Sequence, residues 1–462
     1  MGFSPELAEI RFGCGRSPVL DPPQSVAEML AALRGADPAA ARFPVPTYET
    51  LSARFEALAA LRRTRRRAAG TPAAEEADRR IRALKRTALD DATGWAGEIL
   101  LRWTHTTQGF RERLTAFWAD HFTTVGKSVL FRAAISPFVE EAIRPNIAGR
   151  FEDLLIAAVT HPVMLHYFDQ DASFGPASPA ARRAGRPRGL NENLAREILE
   201  LHTLGVEAPY GQEDVRQFAE LLTGMTLGRD GRFRFRPGRA EPGAETVLGR
   251  RYGGKGRAGL EAIHAALRDL ARHPATAAHI ARKLAVHFVS DRPPAELVAA
   301  LAARFVQSGG NLIEVYGAML EHPQAWQAGP GNVKPPADFV ASTMRALAVA
   351  PERIRRMPPA RLRRLLLGPM ARMGQPWQRP AGPDGWPEAD AAWITPQGLA
   401  ARLRWVMRAP VRLRPDLPDP RTLARQVLRP DPGAGVMIAA MAAETRAEAV
   451  GLVLASPDFQ RR

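Results

Sequence analysis

One segment of the chain, residues 190–226, restricts the possible folds most strongly, because its polar and apolar residues both follow helical spacing. Asn191 can cap the start of a first helix, and Gly205 supplies the left-handed backbone conformation that ends many helices. After a turn at residues 208–211, a second helix is indicated by a stripe of apolar residues, namely Val215, Phe218, Ala219 and Leu222. The segment therefore predicts a helical hairpin.

The first helix of this hairpin carries a polar face. At about 100° per residue, Asn193, Glu197 and Glu200 fall on one side, and His202 falls on the opposite arc. Two neighbouring carboxylates repel each other unless a cation lies between them. That cation can be a divalent metal ion or an arginine, and Arg144, Arg150 and Arg282 are the candidates for an arginine. The face is therefore either a metal or acid/base site or part of a buried ion-pair network.

A histidine on another helix is a candidate partner for this face. The helical pattern from Glu98 to Phe122 contains an apolar stripe that His121 shares with Leu114, Phe117 and Trp118. His121 is either a core histidine bonded to a backbone carbonyl or a ligand or acid/base group that faces a pocket.

Asp169 is a further candidate, because it lies in a loop where Asp171 and Ser173 follow at alternate positions. The loop lacks the closing Glu of a calcium-binding loop, which disfavours calcium. These residues give two sets of expectations. The catalytic candidates are His121, Glu197 and Glu200. The candidate ligands of a divalent metal ion are Asn193, Glu197, Glu200, His121 and Asp169.

A series of short motifs follows in a fixed order along the chain. The longest is NENLAREILELHTLGV from residue 191, followed by Tyr210, Asp214 and LLTG at 221–224. Further motifs are Phe117-Trp118 with His121-Phe122, residues 161–169, residues 273–294, Gly374-Gln375-Pro376 and Gly385-Trp386-Pro387. Together they resemble a bacterial family known as domain of unknown function 1800 (DUF1800). The resemblance covers most of the chain and implies a predominantly helical fold without an established activity.

The sequence departs from the family pattern in two places. Leu190 stands where the family commonly has Pro, and the segment around Ala240, Glu241 and Glu245 lacks the His-Asp and Lys often found there. A function that depends on those groups is not expected here. Members of the family are often encoded beside a protein that resembles a secreted sulfatase or phosphatase. The resemblance therefore also allows a non-enzymatic role as an interaction or maturation partner of a protein encoded alongside.

The length of 462 residues leaves room for a well-buried core. No linker is visible, so we expect an all-α, large multi-helix single domain over residues 1–462, with one small β-hairpin near residues 232–252. Residues 1–90 are expected to form peripheral N-terminal helices, residues 91–330 the core, and residues 331–462 C-terminal helices with a loop rich in Trp and Pro. Motifs for a nucleophile-base triad, a cysteine metal site or a dinucleotide fold are absent from the sequence.

Several features indicate a soluble protein of the cytoplasm. Hydrophobic residues make up 45% of the chain and charged residues 24%, which is typical of globular proteins. No apolar stretch approaches the roughly 18 residues of a membrane-spanning helix. The first residues do not resemble a secretory signal, although many family members are exported. Cys14 is the only cysteine, so no internal disulfide can form.

The net charge of +16 raises the alternative of nucleic-acid binding. Only five of the 64 basic residues are Lys, which indicates a compositional preference for Arg. The basic residues are spread along the chain, with one dense run at residues 62–67. We expect this run to be a solvated helix face, and nucleic-acid binding is the weakest of the hypotheses.

The sequence also allows structural predictions for three further segments. His279, Lys283 and His287 recur every four residues, which predicts a wet stripe on one helix face. Residues 370–396 contain Trp377, Trp386 and Trp393 among many Pro and Gly, so the loop must be ordered by packing its aromatic rings and can wall a pocket. Residues 178–189, rich in Arg, Gly and Pro, are typical of a mobile flap in front of the central helix.

Overall fold

The fold is predominantly helical, as the sequence predicts. The computed structural model describes residues 2–183, 189–254, 259–327, 329, 331–429 and 434–462. Within these ranges, no helix combines the length and the apolar character that crossing a bilayer requires.

The N-terminal third contains a long helix pair surrounded by shorter helices. Its helices are α1 Pro5–Leu7, α2 Val26–Arg34, α3 Pro38–Arg42, α4 Ser52–Arg67, α5 Pro72–His105, α6 Gly109–His121, α7 Val129–Ala133, α8 Ile135–Phe138, α9 Phe151–Val159, α10 Pro162–Tyr167 and α11 Pro179–Arg182. Wide π turns at Ala8–Phe12 and Val139–Ile143 and 3-10 turns at Tyr48–Leu51, Arg144–Asn146 and Gln170–Ala172 complete it. The arginine run at residues 62–67 ends α4 and is largely exposed, as expected of a solvated helix end.

The middle of the chain contains the predicted hairpin and two small sheets. Its elements are α12 Asn193–Glu197, a π turn at Ile198–His202, α13 Gln212–Leu221, β1 Met225–Leu227, β2 Phe233–Phe235, a 3-10 turn at Pro237–Arg239, β3 Ala244–Val247, β4 Arg250–Gly253, α14 Leu260–Ala271, α15 Pro274–Phe288, α16 Ala295–Gln307, α17 Leu312–Glu321 and a 3-10 turn at Pro323–Trp326.

The C-terminal part consists of short helices and long connections. Its elements are α18 Pro336–Ala346, α19 Pro351–Arg355, α20 Pro359–Leu362, a π turn at Arg363–Leu367, α21 Gly368–Arg372, α22 Asp390–Trp393, α23 Pro396–Val406, α24 Pro410–Leu413, α25 Pro420–Val427, α26 Ala434–Ala442, α27 Arg446–Ala455 and α28 Pro457–Gln460.

The central hairpin forms with a shorter first helix than the sequence suggests. Asn191 Oδ1 accepts the N–H of Asn193 at 2.9 Å, and Gly205 has a left-handed φ of 90°, as predicted. The regular helix nevertheless ends at Glu197, and a π turn follows it. Thr203 Oγ1 donates to the carbonyl of Ile198 at 2.6 Å, and this side-chain hydrogen bond holds the wider turn in place.

The β element consists of two antiparallel pairs, where the alternation of residues 232–236 predicted one. Strand β1 pairs with β2, and β3 pairs with β4. The second pair turns at Leu248 and Gly249, which both have positive φ. The sequence analysis missed this pair because β3 and β4 lack a continuous alternation of apolar residues.

Two hydrophobic clusters fill the interior. The first is built from residues between Ala8 and Trp326 and includes the buried stripes of α6 and α13. The second is built mainly from residues between Phe339 and Phe459, and the C-terminal end of α5 joins it through Leu100, Leu101 and Trp103. Helix α5 therefore contributes to both clusters. The division at residues 90 and 330 within a single domain stays a prediction.

Arg345 of α18 connects the two clusters, because its buried guanidinium binds groups from two other chain segments, the N-terminal segment and the end of α5. It donates to the carbonyls of Gly15 at 2.6 Å and Thr106 at 2.7 Å, and it pairs with Glu9 at 3.1 Å. It also donates to the carbonyl of Trp103 at 3.2 Å. A buried charge is tolerated only when its donors are satisfied, so these contacts fix α18 against the end of α5.

The aromatic loop of residues 374–396 packs onto the helical body, as the sequence indicates. Trp393 is 3% exposed, and its ring lies 6.3 Å from that of Trp386. Gln375 Oε1 accepts the N–H of Ala337 at 2.7 Å, which fixes the start of the loop to α18. The predicted flap is described only in part: residues 179–182 are helical, and residues 184–188 lie outside the described residues.

We expect Trp393→Ala to lower the free energy of unfolding by about 3 kcal/mol, because a buried aromatic side chain is lost. Trp386→Ala should cost about half as much, because its ring is partly exposed. Urea unfolding followed by far-UV circular dichroism measures both values. A cost below about 0.5 kcal/mol for Trp393→Ala would show that the loop does not need its aromatic packing.

Candidate functional site

A cavity of about 170 Å³ lies between the two hydrophobic clusters. Phe138 and Val139 contribute to its lining from the first cluster, and Trp103 contributes from the second. The aromatic loop adds further lining residues, namely Trp377, Trp386 and Trp393. The volume accommodates several water molecules or a small organic group. An apolar, aromatic cavity with a few charged groups is the usual form of a small-molecule site.

The cavity faces the side of α6 opposite its buried apolar stripe. Glu112, Ala116 and Asp120 follow each other at intervals of four residues and therefore share a helix face. The small side chain of Ala116 leaves space between the two acids, and Ala119 does the same beside Asp120. Small residues between charged ones thus make the hollow.

Asp120 meets the aromatic loop at the Gly385-Trp386-Pro387 motif. The N–H of Trp386 donates to both carboxyl oxygens of Asp120, at 3.0 Å and 3.2 Å. Gly385 has a φ of 81°, and a Cβ atom there would lie 2.8 Å from Asp120 Oδ1. Only glycine allows this close approach of the backbone to the carboxyl group. The motif therefore serves to seat the loop on Asp120.

The pKa of Asp120 is raised to about 7. Burial is the main cause, and the negative charge of Glu388 adds to it, while Lys283 and the N–H of Trp386 oppose both. Asp120 keeps part of its surface free because the cavity lies against it. A carboxyl group of this kind exchanges its proton close to neutral pH.

A chain of hydrogen bonds forms another part of the cavity wall. Arg113 contacts Asp338 at 3.0 Å and donates to His287 Nε2 at 3.1 Å. Since arginine is only a donor, the Nε2 atom of His287 must be the acceptor. The proton of the neutral ring is therefore on Nδ1, which donates to Glu388 Oε1 at 2.8 Å. Burial lowers the pKa of His287 to about 4, which keeps the ring neutral.

The expectation of a wet stripe on α15 is wrong. His287 is 9% exposed, and Lys283 and His279 are only partly exposed. Burial lowers the pKa of all three side chains. The shared helix face follows from the spacing in the sequence, but the spacing does not show that His287 packs against α6 and the loop rather than facing solvent.

Buried ion pairs surround the cavity, but among the described residues none of them joins Glu197 to an arginine predicted as its partner. Arg144 binds Glu112 with two hydrogen bonds and Asp37 with one, at 2.6 Å for the latter. Arg150 instead pairs with Glu152 at 3.1 Å. The interior thus contains buried ion pairs, but Arg144 and Arg150 bind acids other than Glu197, and an ion-pair network that includes the central helix stays a prediction.

The predicted polar face of the central helix lies near the surface. Arg196 contacts Glu200 at 3.5 Å and Glu192 at 3.4 Å. Glu197 is partly buried, and its pKa is raised to about 7 by burial, then by Glu200, against the opposing effect of Arg196. Asn193 is exposed. The structure thus brings Glu197 and Glu200 into electrostatic contact.

His121 and Asp169 lie in other surroundings. His121 is 2% exposed, and its Nε2 lies 3.2 Å from the carbonyl of His202, which is the contact of a core histidine. Burial lowers the pKa of His121 well below its ordinary value. Asp169 forms an ion pair with Lys127 at 2.5 Å. No hydrogen bond or ion pair between described residues joins either one to Glu197 or Glu200.

In the part of the chain that the structure describes, no group of three or more His, Cys, Asp or Glu side chains is arranged to hold a metal ion. The assignment of Asn193, Glu197, Glu200, His121 and Asp169 to a divalent metal therefore has no geometric support and stays a prediction. The catalytic assignment of His121, Glu197 and Glu200 likewise stays a prediction.

Sequence reasoning missed Asp120, which directly precedes the candidate His121. The available signal was the spacing of Glu112 and Asp120 around two alanines, on the polar side of a helix with a strong apolar stripe. Glu388 and Arg113 carried no local signal, because their partners are remote in sequence.

The fold and the cavity define a helical protein with a tryptophan-lined pocket. The sequence matches the family described as protein of unknown function (DUF1800) over residues 10–461, so the chain belongs to this family. The resemblance inferred from the motifs is thereby confirmed. Neither a curated protein nor a solved structure gives a match.

Glu197→Gln is expected to stabilise the protein at high pH. Because folding raises the pKa of Glu197 to about 7, its contribution is fully present below about pH 4 and is lost as the pH rises through 7. The glutamine stays neutral at every pH. We expect a gain of about 1 kcal/mol at pH 8, a value reduced for solvent screening of this partly exposed group, and no difference at pH 4. Urea unfolding in chelator-free buffer measures it.

The same variant tests the predicted metal site. A divalent ion would bind the ionised Glu197 of the folded chain, so Mn²⁺ at pH 8 would raise the melting temperature of the native protein but not of Glu197→Gln, and EDTA would reverse the rise. If Glu197→Gln is instead less stable than the native protein at pH 8 without metal, the inferred rise in the pKa of Glu197 is incorrect.

Proposed function

We propose that this protein binds a small molecule in the cavity beneath the aromatic loop, and that Asp120 exchanges a proton with the bound molecule. The observation that supports the proposal is the position of Asp120, a carboxyl group with a pKa of about 7 at the wall of a tryptophan-lined cavity. A general acid or base works best when its pKa lies near the working pH.

Asp120 is better suited to proton transfer than its neighbour His287. His287 also lines the cavity, but its Nε2 receives a hydrogen bond from Arg113 and its Nδ1 donates to Glu388. Both ring nitrogens are thus engaged within the protein. The role of His287 is to position Glu388, whose charge contributes to the high pKa of Asp120.

Each of the three alternative functions is supported by a different observation. An acid/base site on the central helix is supported by the raised pKa of Glu197. A role as a partner of another protein is supported by exposed apolar side chains of the C-terminal helices, namely Leu403, Met407, Val411, Ile438 and Met441. Nucleic-acid binding is supported only by the exposed arginines at the end of α4.

Esterification by a small diazoacetamide tests the proposal, because this reagent reacts with protonated carboxyl groups and releases nitrogen. Peptide mass spectrometry after treatment at pH 6 should show an ester at Asp120. The yield should fall as the pH rises through 7, whereas ordinary carboxyl groups lose their proton near pH 4.

Asp120→Asn is the matched control and should remove this modification while leaving the others unchanged. Its folding is checked by circular dichroism. If Asp120 stays unmodified in the native protein between pH 5 and 7, the proposed exchange of a proton with a molecule in the cavity is incorrect.

A further inference from the structure

The charged groups at the cavity differ in whether another protein charge neutralises them. Each of the four arginines that line it is at most 7% exposed and has an acidic partner. Arg102 pairs with Glu140, Arg144 with Glu112, and Arg113 and Arg462 share Asp338. Arg102 Nη2, Arg113 Nε and Arg462 Nε are buried without a hydrogen-bond partner among the described residues, but the charge of each guanidinium group already has an acidic partner in the protein.

Two carboxyl groups at the cavity stand apart from this pattern. Among the described residues, the carboxyl group of Asp120 accepts hydrogen bonds only from the backbone N–H of Trp386, and Glu388 accepts the Nδ1–H of the neutral His287. Among the described residues, no Lys or Arg lies within 4.0 Å of either carboxyl group. Both side chains keep part of their surface, 26% in the case of Glu388. The acids that a ligand can reach therefore form no direct ion pair with a Lys or Arg of the described chain, and Lys283 and, for Glu388, Arg462 act on them only through space.

Lys283 does not neutralise them fully. It lowers the pKa of Asp120 and of Glu388 through space, and Asp384 also acts on it. The ammonium group of Lys283 is therefore shared among three carboxyl groups, and Arg462 acts through space on Glu388 as well. A positive charge added at the cavity would be stabilised by the negative charge on Asp120 and Glu388 that Lys283 does not neutralise.

Indole rings accompany the two carboxyl groups. Trp377 and Trp386 are partly exposed and line the cavity, and the ring of Trp393 lies 6.3 Å from that of Trp386 at an angle of 56°. The face of an indole attracts cations, and Trp is the strongest of the aromatic side chains in this respect. Aromatic rings beside carboxylates are the recognised combination for binding organic ammonium groups.

We propose that the cavity binds an organic cation, with its ammonium group between the carboxyl groups of Asp120 and Glu388 and the indole rings of Trp377 and Trp386. This inference rests on the proposed function of the cavity and specifies its ligand class. Anionic ligands are disfavoured, because they would meet Asp120 and Glu388 while the arginines are already paired. A neutral ligand would form no ion pair with Glu388, on which Lys283 and Arg462 act only through space.

Binding of a cation must shift the protonation of Asp120. The groups that act on this carboxyl are Glu388 and Asp384, which favour its protonated form, and Lys283 and the N–H of Trp386, which favour its ionised form. A bound ammonium group joins the second set and lowers the pKa of Asp120. At pH 7 about half of the Asp120 groups carry a proton, so each bound cation releases up to about half a proton.

Isothermal titration calorimetry of the full chain with tetramethylammonium and with choline tests the inference. Titrations at pH 7 in two buffers of different ionisation enthalpy should show binding with proton release. Proton release should disappear at pH 9, and the affinity should be higher there than at pH 6. Sodium acetate and glucose serve as an anionic and a neutral probe of comparable size.

Variants locate the binding. Asp120→Asn should weaken choline binding about tenfold and abolish proton release, and Glu388→Gln should also weaken it about tenfold. Trp377→Phe keeps an aromatic ring and should bind more tightly than Trp377→Ala. Asp416→Asn is the matched control, because Asp416 is exposed and outside the cavity lining, and it should bind like the native protein.

The outcomes separate this inference from the proposed function. If acetate or glucose binds with dependence on Asp120 and the cations do not, the ligand class is wrong and the cavity remains a binding site. If no probe binds and Asp120 also resists esterification, both proposals are wrong. If cation binding is unaffected by the changes at Asp120, Glu388 and Trp377, it occurs elsewhere and the inference is overturned. If Asp120→Asn fails to fold, the inference is tested by proton release from the native protein and by choline binding to the Trp377 variants.

Discussion

The need to satisfy buried guanidinium groups is the constraint on which the arrangement of this protein depends. Arg345 is 1% exposed and reaches Glu9 and the carbonyls of Gly15, Trp103 and Thr106. Removing one partner of such a group leaves an uncompensated buried charge, which is far more costly than the pair itself is favourable. The end of α5, α18 and the N-terminal segment therefore have one mutual arrangement.

The cavity follows from this arrangement. Arg102 and Trp103 line the cavity, and Arg345 binds the backbone carbonyls of Trp103 and Thr104, so this contact fixes one wall of the cavity. The opposite wall is the aromatic loop, which has little regular structure and is held at Gln375 and Trp386 by hydrogen bonds to α18 and α6. With both walls fixed, the alanines of α6 leave a space that the neighbouring side chains do not fill.

The local sequence pattern was sufficient to predict structural features that depend on residues close together in the chain. The helical hairpin, the apolar stripe of α6 and the packing of the aromatic loop all follow from periodicity and composition, and the structure agrees with them. The π turn at residues 198–202 departs from the predicted helix because Thr203 binds the carbonyl of Ile198, a competition that periodicity does not reveal.

The site was less predictable because it joins residues that are distant in the chain. Asp120 meets Trp386, and His287 meets both Arg113 and Glu388, across intervals of more than a hundred residues. The candidate His121 is adjacent to Asp120, but a turn of about 100° per residue directs the two side chains to different sides of α6. The sequence therefore drew attention to α6, and the packing of the loop places the cavity against a face of this helix other than the one that carries His121.

The pKa of Asp120 reflects a balance between opposing influences. Burial and Glu388 favour the protonated form, and Lys283 and the N–H of Trp386 favour the ionised form. The hydrogen bond from the backbone N–H of Trp386 depends on Gly385, because a side chain at position 385 would collide with the carboxyl group of Asp120 and displace the loop. Without this hydrogen bond, Lys283 alone would oppose the rise in the pKa of Asp120 that burial causes, and the carboxyl group would keep its proton to higher pH. The Gly385-Trp386 motif thus both closes the cavity and keeps its acid near the pH at which a proton can be given or taken.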